Sequence, residues 1–206
     1  MLIKRGLLIV ISGPSGVGKG AICSRLREKK PNLIYSISAT SRIARPEETD
    51  GLEYFFKNRH EFEQMISDGL LLEWTEYCGN YYGTPLEFVE ENLAAGRDVL
   101  LEIEVEGALN VRLSYPDGVY IFLIPPSFAE LRNRLTYRGT EHEDIIKGRM
   151  DIAIKELKMA GNYDYIVVND DLEKAVNAVI TITEAERYRK ERILNYLKSL
   201  LEEEIE

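Results

Sequence analysis

LLIVISGPSGVGK, residues 7–19, is the stretch of the chain that decides its fold. Its first six residues are almost wholly apolar, and a short run of this kind is typical of a buried strand in a parallel sheet. A glycine-rich turn closes the run, and Lys19 opens a segment, 19–30, whose pattern predicts a helix. The whole stretch matches G-x-x-x-x-G-K, the pattern of a phosphate-binding loop between a strand and a helix.

The loop pattern has a physical basis in the way that a bent backbone holds an anion. Successive N–H groups form a concave nest, and the start of the following helix adds positive potential. The alternative is an ordinary glycine-rich turn, against which the apolar run before it and the helical pattern after it both argue. We therefore predict that the phosphates of ATP lie against Gly13, Pro14, Ser15, Gly16, Val17, Gly18, Lys19 and Gly20.

One position departs from this pattern. The residue that usually ends it is Ser or Thr, whose hydroxyl is a ligand of Mg²⁺. Here Lys19 is followed by Gly20 and Ala21, and neither side chain offers an oxygen atom. The sequence thus predicts a nucleotide site whose metal lacks its usual protein ligand.

Composition narrows the classes of function. The chain has 206 residues and a formal net charge of −9, which disfavours binding to duplex nucleic acid, because such binding needs many phosphate-neutralising cations. The two cysteines, Cys23 and Cys78, lie far apart and form no Cys-x-x-Cys pair, which with only two histidines argues against a zinc site. The early apolar run is too short to span a membrane. We expect a cytoplasmic protein with reduced thiols and with neither nucleic acid nor membrane as a partner.

Apolar strand patterns alternate with helical patterns along the chain. Strands are predicted at 7–12, 34–38, 98–104, 118–124 and 165–169, and helices at 19–30, 85–95, 128–137, 143–160 and 172–186. Such alternation predicts an α/β fold with a parallel sheet, in which ligands bind at the carboxyl ends of the strands.

Three segments stand apart from this alternation. Residues 38–84 are rich in aromatic side chains and indicate a small inserted subdomain, whereas 127–154 is a second, helical insertion with several arginines. The charged segment 183–206 carries Ile193, Leu197, Leu200 and Leu201 on one helical face. It is interpreted as a terminal helix docked on the core, with a helix for a partner or for self-association as the alternative.

Eight ordered blocks resemble the guanylate kinase family over roughly residues 5–190. They are GPSGVGK (13–19), SATSRIARPEE (38–48), DGLEYFF (50–56), LEW (72–74), GNYYGT (79–84), IPPS (124–127), RLTYRGT (134–140) and VNDD (168–171). The resemblance implies a single domain: a P-loop kinase core (1–37, 85–126 and 155–206), a GMP-binding subdomain (38–84) and a helical lid (127–154). It also implies transfer of the γ-phosphoryl group of ATP to GMP or dGMP, with Mg²⁺. Whether the chain forms a homo-oligomer stays open.

The candidate substrate-binding residues fall into two groups. Arg42 and Arg45 stand three residues apart and would clamp one phosphate with their guanidinium forks, helped by the hydroxyl groups of Ser38, Tyr54 and Tyr82. Solvated surface charge is the alternative for the two arginines. Guanine offers N1–H and N2–H donors, so its pocket needs acceptors, for which the candidates are Glu73, Glu104 and Thr84.

Phosphoryl transfer needs positioning and neutralised charge more than covalent chemistry. The resemblance implies that Lys19 neutralises the donor phosphates and that Arg134, Arg138 and Arg149 swing in as the lid closes. Asn169 is expected near the adenine, and Glu102 is expected to support Mg²⁺ through water.

Four departures from the family pattern leave two rival functions open. Besides Ala21, Ser41 replaces a Thr, Glu47 replaces a Gly, and Glu102-Ile103-Glu104 stands where the family has Asp-x-Asp. One rival is a kinase of the same fold with another phosphorylated acceptor. The other is a weakly catalytic guanylate-kinase-like module that binds a protein.

Overall fold

The computed structural model describes residues 5–77, 79–136 and 143–203. In chain order its elements are β1 (Leu8–Ser12), α1 (Lys19–Lys29), β2 (Ile34–Tyr35), β3 (Ala39–Thr40), β4 (Phe55–Phe56), α2 (Arg59–Ser67), β5 (Leu71–Tyr77), β6 (Asn80–Pro85), α3 (Leu86–Ala94), β7 (Val99–Glu102), α4 (Val105–Ser114), β8 (Val119–Ile124), α5 (Phe128–Thr136), α6 (Glu143–Leu157), a 3₁₀ helix (Lys158–Asn162), β9 (Tyr165–Val168), α7 (Leu172–Glu186) and α8 (Lys190–Glu203).

A five-stranded parallel sheet lies at the centre of the fold, in the order β2-β7-β1-β8-β9. Side chains of β1 alternate between its two faces, because successive residues of a strand point to opposite sides. Ile9 and Ile11 pack with α1 and α7, whereas Leu8 and Val10 pack with α3 and α4. Both faces are therefore covered, and the α/β class predicted from the sequence is confirmed.

A second, four-stranded sheet is built from the aromatic-rich insertion, in the order β4-β3-β6-β5. The long antiparallel pair β5–β6 places Glu73 opposite Thr84, and α4 of the core packs against β5. Phe62 of α2 is buried and stacks on Tyr81 of β6. The insertion thus has its own small core next to the end of the central sheet.

Several predicted boundaries of strands and helices were wrong. The strand expected at 98–104 ends at Glu102, because α4 begins at Val105, and α4 itself was not predicted. The strand at 34–38 is reduced to Ile34–Tyr35, and the helix expected to reach residue 160 ends at Leu157 before the 3₁₀ helix. Helix α2 was also missed, although Asn58 and Glu61 form a capping box at its start.

The carboxyl-terminal helix α8 leaves part of its apolar face uncovered within the described residues. Leu197 and Leu201 are 47% and 55% exposed, so the docking expected for them is not seen. Among the cysteines and histidines, Cys23 is buried as a free thiol and His60 is exposed, while Cys78 and His142 lie outside the described residues. No helix in the described part of the chain is both long and apolar enough to cross a membrane.

Candidate active site

A cavity of about 640 Å³ opens at the carboxyl end of the central sheet, between the sheet, the inserted subdomain and α6. This is where an open parallel sheet places its ligands. Residues from all three parts line it. Those predicted from the sequence are Ser15, Lys19, Gly20, Ser38, Arg42, Arg45, Tyr54, Glu73, Tyr82, Glu102, Glu104 and Arg149.

The phosphate-binding loop takes the backbone shape that its glycines allow. Gly13, Gly16 and Gly18 have φ values of +146°, +83° and +98°, a region that other residues rarely adopt. A Cβ atom on Gly13 would lie 2.5 Å from the carbonyl oxygen of Leu123 in β8. The loop is therefore fixed against the neighbouring strand, and its glycines are required by the geometry.

Lys19 opens α1 and points back across the loop. Its ammonium group donates to the carbonyl oxygen of Gly13 at 2.7 Å and pairs with Oε2 of Glu104 at 3.1 Å. Glu104 was predicted as a guanine acceptor, and that contact stays a prediction. The contact that the structure shows lies on the donor side instead, because Glu104 immediately precedes α4, beside the end of β1.

The two arginines expected to clamp a phosphate are held in different ways. Arg42 pairs with Oε1 of Glu48 at 2.8 Å, and its guanidinium lies 5.5 Å from the ring centre of Tyr54. Arg45 is mostly exposed, and its backbone N–H donates to Oε2 of Glu48 at 2.8 Å. Tyr54 and Tyr82 meet edge to face at 6.0 Å. The structure thus brings all four predicted side chains to one wall of the cavity.

Glu73 lies on β5 and is only 6% exposed. Its Oε1 accepts a hydrogen bond from Oγ1 of Thr84 at 2.8 Å. Burial raises the pKa of Glu73 to about 7, although the hydrogen bonds from Thr84 act in the opposite direction. A buried carboxylate with a free acceptor side facing a cavity fits a ligand that carries N–H donors.

Glu102 ends β7 next to the start of α1. Its Oε2 accepts a hydrogen bond from the Tyr35 hydroxyl at 3.1 Å, and a Cβ atom on Gly20 would lie 3.5 Å from its Oε1. The buried Cys23 thiol lies beside it, and burial is the main reason why the pKa of that thiol is raised. Two neutral donors therefore hold this carboxylate at the edge of the cavity.

The predicted lid arginines do not lie together. Arg149 of α6 donates to Oγ of Ser15 at 3.1 Å, whereas Arg134 of α5 donates to the carbonyl oxygens of Val17 and Asn169 at 3.3 and 3.1 Å. In this structure Arg134 is thus anchored to the back of the loop and lies outside the cavity wall. Its swing on lid closure stays a prediction, and Arg138 lies outside the described residues.

Asn169 joins the loop to the end of β9. Its side-chain amide donates to the carbonyl oxygen of Val17 at 2.8 Å, and a Cβ atom on Gly18 would lie 2.5 Å from that amide nitrogen. Pro14, Val17 and Gly18 shape the loop without lining the cavity, as do Gly13 and Gly16. Contact of Asn169 with adenine stays a prediction.

Among the cavity residues that were not singled out as site residues from the sequence, Tyr35, Glu48, Gly107 and Glu156 contact the predicted ones. Glu48 fixes both clamp arginines, and its spacing from Arg45 was a usable signal. Tyr35 follows an apolar run, and no sequence signal marks it as a site residue. Glu156 of α6 accepts a hydrogen bond from the backbone N–H of Ser15 and is partly buried, which raises its pKa. Gly107 of α4 lies against Glu73, a contact that only the fold reveals.

Comparison with known proteins decides the family. The sequence model described as guanylate kinase matches residues 5–186. The chain belongs to the guanylate kinase family. It is 53% identical over 201 residues to the guanylate kinases of Halalkalibacterium halodurans and Shouchella clausii, with 98% of each chain covered.

A solved structure agrees with the sequence relatives. The crystal structure of guanylate kinase from Anaplasma phagocytophilum superposes with a TM-score of 0.81 at 31% identity, covering 98% of this chain and 97% of that one. As a member of this family the chain is an enzyme, a kinase that transfers a phosphoryl group from ATP to GMP. The P-loop kinase fold expected from the resemblance is confirmed, and a function as a mere binding module is set aside.

Proposed function

We propose that GMP is phosphorylated within the cavity between Lys19, the clamp arginines and Glu73. The observation that carries this assignment is that the loop of the core, the wall of the inserted subdomain and Arg149 of α6 face one space. A cavity of about 640 Å³ has the volume typical of small-molecule sites.

The acceptor GMP binds on the subdomain side. Its phosphate takes the place of part of the Arg42–Glu48 contact, with hydroxyl donors from Ser38, Tyr54 and Tyr82 completing the clamp. Its guanine base donates N1–H and N2–H to the Glu73 carboxylate, while the Thr84 hydroxyl keeps that carboxylate in place. Base and phosphate are thus fixed at the two ends of one wall.

The donor ATP binds on the core side. The loop amides hold its β-phosphate, and Lys19 exchanges its contact with Glu104 for the β- and γ-phosphates. Arg149, already hydrogen-bonded to Ser15 of the loop, lies where charge develops on the transferred group. Arg138 joins it when the lid closes, and Arg134 positions the loop from behind. The acceptor oxygen of GMP then attacks the γ-phosphorus in line, and ADP leaves.

Mg²⁺ belongs to this proposal as a companion of the ATP phosphates. The described residues contain no cluster of three or more metal-binding side chains, but Mg²⁺ in kinases is held mainly by phosphates, water and one or two carboxylates. Glu102, fixed by Tyr35 and Cys23, fits the role of a carboxylate that acts through water. Bound Mg²⁺ would neutralise phosphate charge, and neither Gly20 nor Ala21 offers it an oxygen ligand.

Adding a hydroxyl directly after Lys19 tests this account of the metal. Gly20 lines the cavity, and a Cβ atom there would lie 3.5 Å from Oε1 of Glu102, whereas Ala21 does not line it. Gly20→Ser is therefore expected to lower the Mg²⁺ concentration for half-maximal rate about tenfold, because it places a hydroxyl where the phosphate-binding pattern has one. The measurement is a Mg²⁺ titration at saturating ATP and GMP, with Gly161→Ser as the control, since a Cβ atom at Gly161 would meet nothing within 4 Å. An unchanged Mg²⁺ requirement in Gly20→Ser would show that the metal lies away from this position.

The acceptor assignment is tested with a panel of monophosphates. ADP release is measured with ATP, Mg²⁺ and each of GMP, dGMP, IMP, AMP and UMP. We expect kcat/KM for AMP and UMP to lie about 10⁴-fold or more below that for GMP, because the buried Glu73 carboxylate would be left without the N–H donors of guanine. Comparable turnover of AMP and GMP would contradict the assignment of Glu73.

We further propose a cytoplasmic location, in keeping with the free thiol of Cys23.

A further inference from the structure

Gly107 lies in the first turn of α4, directly against the carboxylate of Glu73. A Cβ atom built on Gly107 would lie 2.7 Å from Oε2 of Glu73 and 3.3 Å from its carboxyl carbon. Contacts below 3.0 Å are essentially absent from real Cβ atoms, so no larger residue fits without movement. The absence of a side chain at 107 is therefore what lets helix and carboxylate touch.

Two elements confine the Glu73 carboxylate between them. On one side, Thr84 donates to Oε1 at 2.8 Å, and on the other the backbone of α4 at Gly107 faces Oε2. Ile103 lies next to the same spot, since its Cβ is 3.8 Å from the Gly107 Cβ position. The remaining side of the carboxylate faces the cavity, which Glu73 and Gly107 both line.

A side chain at position 107 would displace the Glu73 carboxylate and not helix α4. The nearest atoms are the far end of a flexible side chain, so the Glu73 carboxylate can move at little cost, whereas α4 is held by its packing against β5. Alanine is also the better helix former, and Gly107 has no positive φ that would favour glycine. Glycine at this place is therefore unfavourable for the helix and favourable for the position of Glu73.

We propose that Gly107 is a positioning residue, which sets the place of the Glu73 carboxylate for recognition of guanine. This inference rests on the proposed role of Glu73 as guanine acceptor. A methyl group at 107 pushes Oε2 away from α4 and toward the space that the base must occupy. Guanine then meets a displaced acceptor, although no group that contacts the substrate has been removed.

The test is Gly107→Ala, compared with wild type and with Gly161→Ala as the control. A Cβ atom at Gly161 would meet nothing within 4 Å. We expect KM for GMP to rise at least tenfold in Gly107→Ala, with KM for ATP within twofold of wild type and a melting temperature equal or higher. A KM for GMP within twofold of wild type would overturn the proposal. So would a melting temperature lower by more than about 5 °C, because the backbone and not the carboxylate would then have yielded.

A second variant asks whether the effect passes through Glu73. Glu73→Asp shortens the side chain by one methylene and makes room for the new methyl group, so Gly107→Ala should raise KM for GMP much less in a Glu73→Asp background than in wild type. Equal fold-changes in both backgrounds would overturn the proposal. Failure of the guanine assignment itself looks different: Glu73→Asp alone would then leave KM for GMP unchanged.

Discussion

Lys19→Ala is expected to lower kcat/KM for both substrates about a thousandfold. Removal of one charged donor from a developing transition state costs on the order of 10²–10³ in rate. Lys19 has a further role, because its ammonium group also joins the first residue of the loop, Gly13, to the start of α1 at 2.7 Å. ATP binding is therefore expected to weaken together with kcat, and both are measured by steady-state kinetics and by titration with ATP.

The control for this change is Lys29→Ala, at the other end of the same helix. Lys29 pairs with Glu173 of α7 on the surface and does not line the active-site cavity. Its loss should leave kcat and KM within twofold of wild type, because surface ion pairs contribute little. A fall of less than tenfold in kcat/KM for Lys19→Ala would contradict the role assigned to its ammonium group.

The fold could be predicted largely from one junction. The run from Leu7 to Lys19 determines a buried strand, a glycine-rich loop and a helix, and the alternation that follows determines the sheet. What the sequence could not give is α4, since Val105, Ala108 and Val111 are short apolar residues in a charged segment and carry almost no amphipathic pattern. That helix is defined by its packing between β7 and the inserted sheet, which is a tertiary effect.

The residues of the candidate site also fall into those that the sequence predicts and those that only the fold brings together. Lys19 could be placed at the cavity from the loop pattern, and Arg42 and Arg45 could be placed there from the family-like blocks around them. Residues that act across the fold could not. Gly107 is distant in sequence from Glu73, and the contact of Glu104 with Lys19 joins two segments 85 residues apart. Spacing carries no information about such pairs.

Glu73→Gln is expected to lower kcat/KM for GMP on the order of 10²–10³-fold, with little change for ATP. Guanine presents only N–H donors at N1 and N2, and an amide replaces one of the two acceptor oxygens by a further donor. A donor facing a donor in a buried site leaves both unpaired, which costs far more than the loss of one weak contact. The measurement is kcat/KM for GMP and for ATP, with Glu76→Gln, on the same strand but exposed, as the control.

The same carboxylate gives the enzyme a pH dependence of defined sign. Burial raises the pKa of Glu73 from 4.5 to about 7, so in the free enzyme the group is largely protonated below that pH. Only the ionised form accepts both guanine donors. We therefore expect kcat/KM for GMP to fall about tenfold for each pH unit below 7 and to level off above it, and Glu73→Gln to remove this dependence.

The stability of the folded protein is expected to decrease with rising pH, whereas kcat/KM for GMP increases. The folded state binds the Glu73 proton more tightly than the unfolded chain does, so the free energy of unfolding falls as pH rises from about 4.5 to about 7. A shift of this size corresponds to a loss of at most about 3 kcal/mol, which is complete above pH 7. Glu73→Gln carries no charge, and at pH 8 it should be more stable than wild type by up to that amount, as measured by urea denaturation. A variant that is less stable than wild type at pH 8 would show that the buried charge is compensated. Greater stability with weaker GMP binding would instead mean that the fold tolerates the cost of a buried carboxylate at this position because recognition of guanine requires it.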